Sequence, residues 1–545
     1  MSWAASIGES LMAARVVASL PRFLRQTPTL ESSRAALESS LRERSQTFLE
    51  FLRRAVYEHP DSPYQPILRQ AGVSFDDCVR LVHERGVEGA LGRLYDEGVR
   101  VTLDEFKGRR PIQRGPLTVP TGTRTFDNPL LTRHFETRTG GSRSSGGRLN
   151  VDLDLLEHDT HYDVVFIDMF GLAVRPVGLW HPAPPGSAGL KWALRFARLG
   201  HPVDRWFSQS PVSLRAGGRH AAFVRAVAAV SRLAGRPVPR PEFVSLSDAA
   251  TVARWLAGCR ARGTPAWMST TVSSAVRVCV AAREHGLDIS GTFFRGSGEP
   301  LTPGKARVIE ESGCLVRNHY AMAEIGRMAM ACGHPSAHDD VHVMADKVTF
   351  LQRDIELAGG ARVPALVMTT LLWSAPKVML NVELGDYAAV GPRSCGCVWE
   401  RLGFTEHLSA IRSYEKLTSE GMHFIGADLI ALVDEVLPTR FGGSATDYQF
   451  VEEERDGLPI VSLVMSPRLA PASAVEVETV VLNALASRNA ANRMMSGLWR
   501  DGGTLRIVRR EPYATAAGKI LALHVTRSAS ETVRSSPVPV EGVGG

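Results

Sequence analysis

Two short stretches of this 545-residue chain carry residue types at spacings that could do chemistry. The first reads Gly296-Ser297-Gly298-Glu299-Pro300-Leu301-Thr302, and the second Asn318-His319-Tyr320-Ala321-Met322-Ala323-Glu324-Ile325-Gly326. Between them Lys305, Ala306, Val308, Ile309 and Glu310, with Gly313 as a stop, predict an amphipathic helix, and Cys314 to Val316 predicts a short apolar strand. Glycines stand where backbone must approach another group closely, and the second turn ends on a carboxylate. Ligands of open α/β sheets settle at the carboxyl ends of strands, so strand, open turn and acidic residue together suit a nucleotide or metal-phosphate site. An ordinary strand-to-helix connection has the same outline.

Three further groups have chemical potential. Thr139-Gly140-Gly141-Ser142-Arg143-Ser144-Ser145-Gly146-Gly147-Arg148 offers backbone amides and hydroxyls to phosphate oxygens, as anion-binding nests do, and equally suits a surface loop. An aspartate after a strand, as in Gly385-Asp386, can accept two hydroxyl hydrogens at once. Cys332, His334, His338 and His342 precede the pair Cys395-Gly396-Cys397. Zinc favours thiolate and imidazole in a four-ligand tetrahedral shell, so the Cys-x-Cys pair with one upstream cysteine and one histidine would complete a structural site. Separate buried cysteines and solvated histidines are the alternative.

Taken together and in this order, these stretches resemble the adenylate-forming ligases, in particular the branch containing phenylacetate-coenzyme A ligase. The resemblance extends to Ile411–Gly421, similar to that family's hinge, and to Thr515-Ala516-Ala517-Gly518-Lys519, similar to its terminal catalytic loop. It implies that Gly298, Glu299 and Pro300 lie against adenine, that His319 and Tyr320 sit beside the purine, and that Glu324 holds Mg²⁺. It further implies phosphate contacts from Gly141, Ser142, Ser144 and Ser145, ribose contacts from Asp386, a nucleotide contact from Arg412, and catalysis by Lys519 with Glu324. The acyl pocket it implies is lined by Trp267, Ser269, Thr270 and Thr271, with Ala321 and Met322. For zinc it selects Cys332, His342, Cys395 and Cys397, with His338 as second choice for the histidine. Two departures stand out: the phosphate loop is loosened and no lysine follows it, leaving Arg143 or Arg148 to supply charge, and the hinge acid is displaced to Glu415 or Lys416.

The elements that must position these residues read as α/β. Alternating patterns predict helices over Lys191–Leu199, Arg219–Leu233, Ala249–Arg262 and Thr270–His285, and strands over Tyr162–Phe170, Val343–Leu351, Val363–Leu372 and Val378–Leu384. Met1 to Leu30 has helical spacing and Ser32 to Arg54 reads as one amphipathic helix. The expected architecture is a large N-terminal domain with mostly parallel sheets covered by helices, and a small mobile α+β C-terminal domain. Its parts are a helical region 1–110, an adenylate-forming core 111–412, a lid 413–528 and a disordered tail 529–545. Within the lid the pattern predicts helix Ile425–Leu437, strands Asp447–Glu452 and Leu458–Met465, helix Ala474–Ala486 and strand Thr504–Arg509.

Composition restricts the classes. Hydrophobic residues make up 44% and charged residues 22%, values of a globular protein. The net charge of +6 comes from scattered arginines, which argues against nucleic-acid binding and suits polyphosphate substrates. No apolar run is long enough for a membrane span, and Glu9 and Arg15 interrupt any leader, so a cytoplasmic protein is expected. Seven cysteines, odd and sparse, argue for reduced thiols. The reading that results is an ATP-dependent ligase turning a small, aromatic or other, carboxylic acid into an acyl adenylate and passing it to a thiol, coenzyme A first. Its cofactors are ATP, Mg²⁺, coenzyme A and structural Zn²⁺. A carrier protein or an amine in natural-product biosynthesis is the alternative acceptor, a nucleotide- or acyl-binding protein without turnover is the alternative class, and pairing into a homodimer is left open.

Overall fold

The computed structural model describes residues 3–131, 134–138, 148–184, 186, 188–210, 219–356, 362–413, 416–419, 422–425, 429, 432–455, 458–488, 490–513 and 523–525. A six-stranded parallel sheet positions the site. Its strands are β1 (Val177–Trp180), β2 (Arg205–Ser208), β3 (Glu242–Phe243), β4 (Trp267–Thr271), β5 (Phe293–Ser297) and β6 (Leu315–Asn318), in the spatial order β6-β5-β4-β1-β2-β3. Strands β1 and β4 are buried at every position, as expected for parallel strands covered on both faces. The predicted helices cover them, although Thr270 and Thr271 end β4 and the helix that follows spans Val272–Glu284.

The largest departure from expectation is Tyr162–Phe170, which is not a strand. It lies in helix α1 (Leu153–Met169), whose first turn is capped by Asp152 accepting the Asp154 N–H at 2.7 Å. A continuous apolar run does not distinguish a buried strand from a helix buried nearly all round, and Leu155, Leu156, Tyr162, Val165 and Phe166 are all buried. The helical spacing instead puts Asp159 and Asp163 one turn apart on one face. The N-terminal helix Trp3–Arg25 packs Val16, Leu20, Phe23 and Leu24 into the same core, and Ser32–Arg54 divides at Glu43 into helices Leu30–Arg42 and Arg44–Leu52.

A second large sheet is wholly antiparallel, so of these two sheets only the first has the expected parallel pairing. Its strands are β7 (Tyr320–Met322), β8 (Gly326–Ala331), β9 (Val341–Val343), β10 (Val348–Glu356), β11 (Arg362–Thr370), β12 (Val382–Pro392) and β13 (Glu406–Ser413), ordered β7-β8-β9-β13-β12-β11-β10. The expected strand Val343–Leu351 is broken by the turn between β9 and β10, so His342 lies inside β9 instead of ahead of a strand. Asp386 is likewise not at a strand end. It follows Gly385 (φ 77°) within the long β12, where the pairing with β11 and with β13 shifts register.

The C-terminal part forms a four-stranded sheet of β14 (Tyr448–Arg455), β15 (Leu458–Met465), β16 (Leu505–Arg509) and β17 (Leu523–Val525), ordered β16-β15-β14-β17. Helices Ala474–Arg488 and Ala490–Gly502 complete an α+β unit; the second helix and β17 are additions to the sequence reading. Ile425 ends a strand paired with Lys416–Ser419, and the helical backbone there begins later, as a π-helical turn Leu432–Val436 followed by Leu437–Phe441. This unit shares a core with the helices over the parallel sheet: Leu482, Leu498 and Trp499 belong to the same cluster as Val276 and Leu256. Arg277 also donates to the Gly502 carbonyl at 2.9 Å. The tail 529–545 lies outside the described residues. No helix among the described residues is long and apolar enough to cross a membrane.

Candidate active site

The two motifs meet because β5 and β6 are neighbours, with Gly296 level with Asn318. The His319 N–H donates to the Gly296 carbonyl at 3.2 Å, and the Asn318 side-chain amide donates to the Glu299 carbonyl at 3.1 Å. The turn after β5 needs φ 81° at Gly298, then Thr302 caps helix Pro303–Glu311 by accepting from the Lys305 N–H at 3.3 Å. A Cβ on Gly296 would come within 2.9 Å of Val272 Cγ2 and 3.2 Å of Asn318 Oδ1. Gly296→Ala should therefore cost roughly 1–3 kcal/mol, read from the urea midpoint, because both neighbours belong to packed elements.

Glu299 is a correction to the expected nucleotide set. It is buried, and its carboxylate accepts from the Ser273 N–H at 2.8 Å and from Lys305 Nζ at 2.8 Å. Those donors turn it into the protein, so it fixes the turn's shape. Gly298 and Pro300 remain partly exposed beside it.

Tyr320 and Asp386 are brought together across the two motifs: the phenol donates to Asp386 Oδ2 at 2.7 Å. Burial first, then the nearby Asp386 charge, pushes the Tyr320 hydroxyl well above its ordinary value. Arg412 sits opposite Tyr387 in the β12–β13 ladder, one residue from Asp386, and its guanidinium reaches Asp339 at 3.1 Å.

Glu324 is 9% exposed and accepts a hydrogen bond from Lys107 Nζ at 2.6 Å. Burial would raise its pKa, but the Lys107 ammonium outweighs that and holds it at about 2. Lys107, just after the short helix Leu103–Phe106, escaped the sequence reading, and nothing in Asp104-Glu105-Phe106-Lys107 singles it out.

Beneath the second motif lies a buried charge layer. Asp163 on α1 accepts from Arg295 Nη1 at 2.6 Å, and its oxygens also lie 2.5 Å from Arg327 Nη1 and 3.0 Å from Arg195 Nε. Asp159 accepts from Lys347 and lies 3.4 Å from Arg195 Nη1. The guanidiniums of Arg195, Arg295 and Arg327 stack around Trp192, each within 4.6 Å of the ring centre. The sequence carried a signal for this layer: lone arginines in the apolar strands Phe293-Phe294-Arg295 and Arg327-Met328-Ala329, opposite two aspartates in an apolar helix.

The cysteine and histidine ligand set converges. One donor atom each from Cys332, His342, Cys395 and Cys397 lies within 4.8 Å of the others. His342 Nε2 is 3.1 Å from Cys397 Sγ and 3.4 Å from Cys395 Sγ, while its Nδ1 sits 2.7 Å from the Phe404 carbonyl. That carbonyl accepts only from Nδ1–H, which leaves the Nε2 lone pair for a metal. The Cys332 sulfur accepts from the His334 N–H and from Arg393. His338, by contrast, is exposed and faces Glu310 at 3.6 Å, so it is not in the set. All seven cysteines are unbridged.

For the acyl pocket, Ala321 and Met322 lie partly exposed in β7. Trp267 does not join them: it begins β4, at the end of the strand away from the site, and is fully buried edge-on against Phe196. Thr270 is at the correct end, with its hydroxyl donating to the Trp180 carbonyl at 3.0 Å. Gly141, Ser142, Ser144, Ser145, Glu415 and Lys519 lie outside the described residues.

Among solved structures, 2-hydroxyisobutyryl-CoA ligase in complex with 2-HIB-AMP and CoA in the thioesterification state overlays over 94% of both chains, with a TM-score of 0.52 at 16% identity. The chain shares the fold of this ligase. The same ligase in an open conformation overlays over 92% of this chain and 93% of its own, at TM-score 0.40 and 17% identity. Amide bond synthetase McbA from Marinactinospora thermotolerans does so over 88% and 93%, at 0.37 and 12%. No protein-family model and no curated protein matches the chain. Tyr320 and Asp386 thus meet beside the Gly298 turn, at the carboxyl ends of two neighbouring parallel strands, with Glu324 four residues beyond Tyr320.

Proposed function

We propose that this protein activates a small carboxylic acid with ATP and passes the acyl group to a thiol, coenzyme A being the first candidate. The observation that carries the proposal is the Tyr320–Asp386 pair standing beside the Gly296–Thr302 turn and Glu324 in a chain of this fold. The acid's carboxylate oxygen attacks the α-phosphate of ATP, forming an acyl–O–P bond as pyrophosphate leaves. The thiol then attacks the acyl carbonyl, and AMP leaves with that oxygen. Asp386 accepts the ribose hydroxyls, Tyr320 walls the purine, and Lys519 brings a cation to the α-phosphate on a lid formed by residues 413–528. Glu324, ionised and hard, fits Mg²⁺, which would supply charge neutralisation as anions approach. Lys107 must give up its hold on that carboxylate when the metal arrives. The Cys332/His342/Cys395/Cys397 set fits structural zinc pinning the β8–β9 and β12–β13 connections.

Acid-dependent exchange of labelled pyrophosphate into ATP tests the reading. Asp386→Ala should raise the KM for ATP by roughly tenfold to a hundredfold, the worth of hydrogen bonds to a charged group. Lys519→Ala should slow exchange by roughly a hundredfold to a thousandfold, the usual cost of losing one transition-state donor. Unchanged exchange in both variants would reject the assignment. Coenzyme A, a phosphopantetheinyl carrier protein and an amine offered in turn then identify the acceptor.

A further inference from the structure

The charge layer under the acyl site is out of balance, and this inference rests on the adenylation reading just given. Four cations, Arg195, Arg295, Arg327 and Lys347, are at most 4% exposed, and the carboxylates in direct contact with them are Asp159 and Asp163. Asp346, next in sequence to Lys347 and held by His158 and Tyr162 at 2.9 and 2.7 Å, adds a third negative charge that also favours the Lys347 ammonium, which still leaves four buried cations against three carboxylates. Among the described residues, Arg327 Nε and Nη2, Arg295 Nε and His319 Nδ1 are buried without a hydrogen-bond partner. Burying positive charge in excess of its counter-ions is costly, and a bound anion removes that cost.

Lys191 marks where such an anion would enter. It stands on helix Ala188–Arg198 beside Trp192, partly exposed where its neighbours Leu190 and Trp192 are buried. Among the described residues it has no hydrogen-bond or ion-pair partner. Burial, with Arg195 next in effect, lowers its ammonium to about 8, while Asp159 and Glu324 are close enough to oppose that. Lys191 stands one turn before Arg195 on this helix, and Trp192, which Arg195 covers, meets His319 of the second motif edge-on at 5.7 Å. The interior beside Trp192 is polar: His181 stacks on it at 6.2 Å, with Nε2 3.0 Å from Ser269 Oγ.

We infer that the acid carries a second anionic group, in its simplest form a short dicarboxylate, and that Lys191 is the counter-ion of that group above the Arg195–Arg295–Arg327 layer. The reacting carboxylate loses its charge on becoming the mixed anhydride. A second carboxylate keeps its charge through both steps, so it can balance the layer throughout.

The test uses the full chain and two sets of probes: malonate, succinate and glutarate against propionate, butyrate, benzoate and phenylacetate. One dicarboxylate should raise the melting temperature without ATP, and should exceed every monocarboxylate in exchange kcat/KM by at least tenfold. Lys191→Met should abolish the dicarboxylate's thermal shift and Lys191→Arg should retain it. The ligand-free melting temperature of Lys191→Met should not fall, since a cation among cations is removed. Preference for a monocarboxylate, or a dicarboxylate shift that survives Lys191→Met, overturns the inference and leaves adenylation standing. Absence of exchange with every acid overturns both.

Discussion

Asp163→Asn should destabilise the protein by roughly 3–5 kcal/mol, the cost of removing one partner from a buried ion network. Three guanidiniums converge on this fully buried carboxylate, and the variant would leave them without a shared counter-ion. A matched control is Asp168→Asn on the same helix: its partner Arg34, at 3.2 Å, and the aspartate itself are both around half exposed, so the change should stay within about 0.5 kcal/mol. The pH dependence has a definite sign. Burial alone would raise the Asp163 pKa, but Arg327, Arg195 and Arg295 together lower it from 3.8 to about 2. A carboxylate depressed in the folded state contributes stability that is present above its unfolded pKa and is lost as pH falls through the folded one. Urea midpoints of the native chain should therefore drop between about pH 4 and pH 2, and the Asp163→Asn curve should be flatter there.

The purified protein should hold one zinc at the Cys332/His342/Cys395/Cys397 set, and Cys397→Ser should lose it. Structural zinc contributes about 10–16 kcal/mol at small sites, so even a fraction of that makes the metal-free chain melt at a clearly lower temperature. The three cysteines come from connections distant in sequence, and among the described residues their donors and His342 Nε2 form a four-membered group. Cys332 also groups with Asp340 and His407, which offers a second arrangement. His407→Gln separates the two, because the four-ligand site keeps its zinc in that variant whereas the alternative loses it. Metal analysis by plasma emission and a chelator-dependent melting curve read both outcomes.

The parts of this molecule that were legible in sequence are those with local punctuation. Thr302, Pro303 and Gly313 mark a helix whose bounds follow from capping chemistry, and the pairing of β5 with β6 follows from the helix between them. The cysteines and His342 were legible because ligand types are few and their spacing is constrained. What escaped depended on distant partners. Helix α1 looks like a strand because it is apolar on almost every side, and its two aspartates make sense only once Arg295 and Arg327 lie opposite. Glu299 sits in a recognisable motif, yet Lys305 and Ser273, the latter at the start of the helix after β4, decide that it points inward. Lys107 reaches Glu324 from a segment more than two hundred residues earlier, and no local pattern announces such a contact.

The most direct measurement of the central claim follows one atom. The protein is incubated with ATP, coenzyme A and the acid that supports exchange, its carboxylate labelled with heavy oxygen, and the nucleotide product is examined by mass spectrometry. Transfer of a single labelled oxygen to AMP is the predicted result, because the carboxylate oxygen that attacks the α-phosphate leaves with it when the thiol takes the acyl group. Unlabelled AMP, or label in inorganic phosphate with ADP as product, would contradict adenylation and place the attack elsewhere on ATP.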